Sequence, residues 1–226
     1  MNDESRARAI ERRRALHEYP EPAWREFNTT SRLVEYVEEI GVDELIVGRD
    51  ALESEKRLGV PDSDVLEEWA SRARTEGARE DVLEAIEGGH TGLIAVLECG
   101  PGPVIGLRAD IDALPFAESD DPEHAPAAEG FRARHDDAMH ACGHDAHMSM
   151  ALGVLEAVKE SDFSGTFKLF FQPSEEILGG GDAMASTTYV DDVDRLFAFH
   201  IGLGTPSGTI VAGVDKQLAI RQSTAT

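Results

Sequence analysis

The sequence predicts an α/β fold, a three-layer sandwich around a mixed, mainly parallel sheet. Three observations carry this. The N-terminal quarter has helical spacing, short apolar runs alternate with amphipathic stretches from residue 91 onward, and those runs are bracketed by glycine and proline. Buried strands alternating with helices are the pattern of a sheet covered by helices. At 226 residues the chain fits one large domain or two small ones, and its 41% apolar content is globular.

Residues 3–18 are rich in Ala, Arg and Glu and stop before Pro20 and Pro22, as a helix must. A second helix is expected from about Thr29 to Ile40, with Leu33, Val34, Val37 and Ile40 on one face and Gly41 as a left-handed cap. Residues 50–90 read as a charged helical insertion of two short helices. Pro61-Asp62-Ser63-Asp64 gives a start signal, and Val65, Leu66 and Trp69, then Val82, Leu83 and Ile86, give the apolar faces.

TGLIAVLE (91–98) and PVIGLRAD (103–110) read as strands joined by the CGPG turn. Residues 144–159 return to helical spacing, with Met148, Ala151, Leu152, Leu155 and Val158 on one face. TFKLFF (166–171) is a strand ended by Pro173. A helix over Gly181 to Tyr189 follows, then strands at 196–201 and 209–214.

Acidic side chains number 44 and basic ones 21, a formal net charge of −23, and only four of the basic residues are lysine. So negative a surface repels phosphate backbones and anionic lipid, which argues against nucleic-acid and membrane-surface binding. It also suits a protein kept soluble in concentrated salt, so the expected home is a high-salt cytoplasm. MNDESRARAIERRR holds no apolar stretch of the secretory-signal kind, and the uncharged run Leu196 to Val214 is broken by glycine, serine and proline, which excludes a membrane span there. Cys99 and Cys142 are the two cysteines and are expected to be unpaired.

Potential ligands fall in four places, each at a strand end or in a turn. In Arg108-Ala-Asp110-Ile-Asp112-Ala-Leu-Pro115, two acids two residues apart in extended chain point the same way, and Pro115 stops the strand; solvated acids are the plain alternative. Met139-His140-Ala-Cys142-Gly143-His144-Asp145-Ala-His147 is more specific. One thiol, three imidazoles and a carboxylate suit a borderline metal, and Gly143 lets the backbone turn so that Cys142 and His144 converge. His140 and His144 could instead pair across a helical turn, which Gly143 disfavours. A buried structural cysteine and a capping histidine are the alternatives.

In Phe171-Gln-Pro-Ser-Glu175-Glu176, adjacent carboxylates repel each other unless something positive lies beside them. A metal ion bound by one acid, with the other free as general base, makes sense of the pair; a solvated acidic turn is the alternative. His200 closes the apolar run Phe197-Ala-Phe199. Alone it reads as a core histidine, but it becomes a ligand candidate because three ligand-bearing turns precede it and the crevice of an open α/β sheet lies at the carboxyl ends of its strands. A closed structural metal site, holding one ion with no open position, is a competing reading of the whole set.

RADIDALP, MHACGHDAH, FQPSEE with its trailing glycines, and FAFHIG occur in one order after RRALHEYPEPAWREF. Together they resemble the metal-dependent amidohydrolases of the aminoacylase and carboxypeptidase type, in the branch that cleaves N-acylated amino acids. The match runs from about residue 8 to the end. The segment from Gly48 to Ala78 and the DDVD…HIG…P-x-G-T pattern are similar to the subgroup that hydrolyses p-aminobenzoyl-glutamate in folate catabolism. Hippurate or another N-acyl amino acid is the neighbouring specificity.

The resemblance implies a site with two divalent ions, Mn²⁺ or Zn²⁺. Cys142, His144, Glu176 and His200 match its ligands, Glu175 its general base and acid, and Asp112 the acid that orients the ligand shell. Asp110 stands where many relatives carry a ligand histidine, and His140 and His147 are possible further members. It also implies a homodimer, or a heterodimer with a B-type subunit. Family members run to roughly twice this length. Residues 1–215 match the first part of the catalytic domain, and 216–226 the start of an inserted lid and dimerisation domain. The lid histidine that stabilises the oxyanion and a final ligand histidine are therefore expected outside these 226 residues. Losing one oxyanion donor costs roughly 10²–10³ in rate, so the chain alone is expected to be inactive or nearly so, or to act as a non-catalytic or partner subunit.

Overall fold

A computed structural model describes residues 3–202, 206 and 208–211. Helices α1 (Asp3–His17) and α2 (Phe27–Ile40) lead into a short strand β1 (Glu44–Val47), two 3-10 turns (Gly48–Ala51 and Ser54–Lys56), and helices α3 (Ser63–Thr75) and α4 (Glu80–Ala85). Then come β2 (Leu93–Glu98), β3 (Val104–Asp110), α5 (Ala125–Glu129), α6 (His144–Lys159), β4 (Thr166–Gln172), α7 (Gly181–Ala185) and β5 (Arg195–Ala198).

The five strands form one mixed sheet in the order β1-β2-β4-β3-β5. β3 runs parallel to β4 and to β5, whereas β2 is antiparallel to both β1 and β4. Four of the five strands thus point one way. The α/β class and mixed sheet are as the sequence predicts, but the hairpin reading of residues 91–110 needs correcting. β2 and β3 are not neighbours, because β4 lies between them. The 99–103 connection spans two strand spacings and is stitched to the incoming β4 chain: Cys99 N–H donates to Gly165 O (2.8 Å), Thr166 N–H to Pro103 O (3.0 Å) and Ser164 Oγ to Pro101 O (2.6 Å). A Cβ at Gly102 would sit 2.3 Å from Ser164 O, so this close crossing requires glycine.

β4 is buried along six of its seven residues, and α6 contributes Met148, Ala151, Leu152 and Leu155 to the same core as Leu33, Val34 and Val37 of α2. Each such side chain contributes roughly 1.5–3 kcal/mol by leaving water. α1 is polar and is held instead by ions: Arg8 and Arg12 both bond Glu156 of α6 (3.1 and 2.8 Å).

β1 and α5 leave no signal in the sequence. At four and five residues they are too short to show a period. α7 stops at Ala185 rather than Tyr189, where Thr187 Oγ1 donates to Met184 O (2.8 Å) and competes with the helix. Gly41 has positive φ (79°) but ψ 113°, so it is not the left-handed cap expected, although its N–H still donates to Val37 O. β5 ends at Ala198, and its Leu196 and Phe197 are each 54% exposed. Residues 209–211 carry no strand, while 212–214 and the proposed lid segment 216–226 lie outside the described residues. Both cysteines are unpaired.

Candidate metal centre

β3, β4 and β5 are mutually parallel, so their carboxyl ends share one edge of the sheet, and the four ligand-bearing turns arrive there. Asp110 ends β3 and Asp112 follows it. Glu175 and Glu176 follow β4, and His200 follows β5. Gly143, left-handed at φ 87° and ψ 18°, starts α6 at His144, so Cys142 lies just before the helix and His144 on its first turn. This excludes a helical pairing of His140 with His144.

His144 is the hub. Its Nδ1–H donates to Asp112 O (2.8 Å), which leaves Nε2 as a lone pair. That atom is buried without a hydrogen-bond partner and lies 3.7 Å from Glu176 Oε1, itself buried and unpartnered, and 3.8 Å from Glu175 Oε2. Asp112 joins two sides of the site: Oδ2 accepts Glu176 N–H (2.9 Å) and Oδ1 lies 3.4 Å from His144 Nδ1. On the open side, Cys142 Sγ faces His200 Nε2 at 3.3 Å, with the other ring nitrogen of His200 donating to Ile201 O (2.9 Å).

Ligand-capable atoms of Asp110, His144, His147 and His200 lie within 4.8 Å of one another, as do those of Cys142, His144 and Glu176. The two groups share His144, an arrangement suited to two ions. His147 is already engaged at both nitrogens, however. Nδ1 donates to Asp110 Oδ1 (2.6 Å) and Nε2 accepts Ile201 N–H (2.9 Å), so the ring ties β3 to the end of β5. Asp110 in turn accepts from Arg108 (2.8 Å), whose Nε donates to Gln172 Oε1 (2.8 Å). His140 is buried outside both groups, 6.3 Å from the ring of His17, with neither nitrogen partnered.

The electrostatics show a concentration of acids in want of a cation. Burial, then the charges of Glu176, Glu175 and Asp110, pushes the Cys142 thiol up to about 12. Burial and the nearby Asp112 raise Glu176 against the pull of His144. Burial opposes charging His144, but Asp112, Asp110 and Glu176 outweigh it and raise its pKa. Burial likewise opposes ionising Asp110, yet His147, His144 and Arg108 hold it down to about 2. Burial keeps His140 neutral, lowered to about 4. Buried unpartnered lone pairs among partly neutralised acids are what a divalent cation would satisfy, so the donor set fits one.

A mixed sheet with thiol, imidazole and carboxylate donors gathered at its carboxyl edge defines the class: an α/β domain of the metallopeptidase kind. Residues 106–222 match the profile of peptidase family M20/M25/M40, and the chain belongs to that family. It is 44% identical over 210 residues to indole-3-acetyl-aspartic acid hydrolase of Enterobacter agglomerans, and 42% identical over 210 residues to the A-type subunit of p-aminobenzoyl-glutamate hydrolase from Escherichia coli K12. Each match covers 92% of this chain and 48% of the relative. The aminobenzoyl-glutamate utilization protein from Klebsiella pneumoniae superposes with a TM-score of 0.74 at 35% identity, covering 92% of this chain and 47% of that one. A Bacillus subtilis protein described as a dinuclear metal-binding peptidase of the M20 family gives 0.64 at 28% identity, covering 91% and 46%. The chain spans about half the length of the curated relatives it matches.

Sequence reasoning missed the buried polar groups beneath the centre. His17 bonds both Asp145 and Glu118 (2.8 Å each), and Glu26 lies fully buried under the Ser174 turn. The available signal was the crowding of His17, Glu21 and Glu26 among bulky residues in 13–27.

Proposed function

We propose that this chain forms the metal-holding part of an amidohydrolase acting on an N-acyl or N-aroyl amino acid whose amino-acid half is acidic. The leading candidate is p-aminobenzoyl-glutamate, cleaved to p-aminobenzoate and glutamate. The single observation that carries the reading is the pair of buried, unpartnered atoms His144 Nε2 and Glu176 Oε1 facing each other beside Cys142 and His200. Similarity to a hydrolase of indole-3-acetyl-aspartic acid supports a second aryl-acyl substrate of the same build.

In this reading Cys142, His144, Glu176 and His200 hold two divalent ions, Mn²⁺ or Zn²⁺, with Asp110 beside them. When bound, such ions would lower the pKa of a water and polarise the amide carbonyl. The chain's own residues do the rest. Glu175, whose side chain is 30% exposed next to the more enclosed Glu176, accepts a proton at a carboxylate oxygen and returns it to the departing nitrogen. Asp112 fixes the His144 tautomer and the Glu176 backbone together, so one acid sets the position of two donors. Asp110 and Arg108 fix His147, which fixes the chain just after His200.

Partnership follows the same relatives: a homodimer, or a B-type subunit beside an A-type chain, in a cytoplasmic setting. Among the described residues no helix is long and apolar enough to cross a membrane. The test is release of free amine from p-aminobenzoyl-glutamate, indole-3-acetyl-aspartate and hippurate by the protein, with any partner subunit, loaded with Mn²⁺ or Zn²⁺. Turnover of an acidic aryl-acyl substrate at least tenfold above hippurate supports the reading. Equal turnover of all three, or none with metal bound, contradicts it.

A further inference from the structure

The segment between α1 and α2 reaches three of the four ligand-bearing turns. His17 bonds Asp145, next to His144; Glu21 O accepts Ala113 N–H (2.8 Å), next to Asp112; and Glu26 Oε1 accepts Ser174 N–H (2.8 Å), next to Glu175. The last of these has the most direct consequence. Glu175 is flanked by two backbone N–H groups, each held by a buried carboxylate: Ser174 N–H by Glu26 and Glu176 N–H by Asp112 (2.9 Å).

The turn they hold is a strained one. Ser174 has φ 56° and Leu178 φ 53°, both in the left-handed region that favours glycine. The turn curls so tightly that Ser174 O accepts from both Gly179 and Gly180 (2.8 and 3.2 Å), and a Cβ at Gly180 would fall 1.9 Å from Pro173 O. Nothing else among the described contacts satisfies Ser174 N–H, and an unsatisfied buried donor would release this conformation.

We propose that Glu26 is a positioning residue for the Glu175–Glu176 turn, acting through the Ser174 amide to fix where both acids stand. This rests on the reading of Glu176 as a cation ligand and Glu175 as the proton carrier. The second oxygen of Glu26 is anchored by Thr91 Oγ1 (2.6 Å), so the carboxyl cannot swing away from Ser174. Burial, with the charge of Asp112 adding to it, pushes Glu26 up to about 8, so a neutral side chain of the same shape fits the position. Glutamine is that side chain: its oxygen can accept from Ser174 and its amide can donate to Thr91.

The test compares Mn²⁺ affinity by calorimetry, and kcat and KM, with unfolding of the metal-free protein, in Glu26→Gln and Glu26→Met. Groups behind metal ligands typically change affinity by about 10–100-fold when removed. Methionine fills the space without an acceptor, so Mn²⁺ affinity and kcat should each fall at least tenfold while KM and metal-free stability hold. Glutamine should stay within threefold of the parent on every readout. If the methionine variant does not fold, Glu26→Asp, one methylene too short to reach Ser174, should show the tenfold loss. Methionine or aspartate variants that bind Mn²⁺ like the parent would overturn the proposal, as would a glutamine variant as weak as methionine. A parent protein that binds no divalent ion would instead overturn the metal reading beneath it.

Discussion

Replacing Cys142 with alanine should change the number of protons released when a divalent ion binds. The metal-free thiol is pushed up to about 12, first by burial and then by Glu176, Glu175 and Asp110. At pH 7.5 the thiol form therefore exceeds the thiolate by roughly 10⁴-fold. A metal takes the thiolate, so each ion that engages Cys142 must expel one proton, and the logarithm of affinity should rise by about one per pH unit on that account. His144 and Glu176, whose pKa values are also raised, add fractional protons in both proteins, so the difference between parent and variant isolates the thiol. Titration calorimetry with Mn²⁺ or Zn²⁺ at pH 7.5, in two buffers of different ionisation enthalpy, counts the protons. The parent should release about one more than Cys142→Ala and bind with the steeper pH slope. Equal proton counts would refute the placement of the sulfur at the metal.

Glu175→Gln should lower kcat by about 10²–10⁴ while bound metal, measured by elemental analysis, is unchanged; a loss of metal equal to the loss of rate would contradict its assignment as proton carrier. His17→Gln should cost roughly 3–5 kcal/mol, because it breaks a buried pairing with Asp145 and Glu118. The His17 pKa is raised against burial by those two acids, so its contribution is present below about 6.5 and fades as pH rises through its folded value. The acids are lowered, so theirs is present above about 4.5 and fades as pH falls. The difference in urea unfolding between parent and variant should therefore peak between about pH 4.5 and 6.5, and a flat difference would contradict the network. Leu152→Ala, at a fully buried position between α6 and the sheet, should lose about 2–5 kcal/mol in the same assay; a loss below 1 kcal/mol would mean α6 is not packed as described.

The long elements were legible because burial imprints a period on them. α6 and β4 appear in the sequence with boundaries within a residue of those observed. Strand order was not legible: CGPG looks like a hairpin turn, and only the stitching of residues 99–103 to 163–166 shows that β4 intrudes. The site was half legible. Cys142, His144, Glu175, Glu176 and His200 stood out because such residue types rarely crowd into turns. His147 looks the same in sequence as His144, yet one has a free nitrogen and the other none, a distinction made only by Asp110 and Ile201 across the fold. Glu26 was illegible as a functional residue because its partner, Ser174, lies 148 residues away.

Crystals of the protein soaked in Mn²⁺ or Zn²⁺, with anomalous diffraction collected at the metal edge, would test the central claim most directly. Two peaks about 3.5–4 Å apart are predicted, in bonding reach of Cys142 Sγ, His144 Nε2, His200 Nε2 and the Glu176 carboxylate. Anomalous density absent from that edge of the sheet, or present only at surface carboxylates, would contradict it.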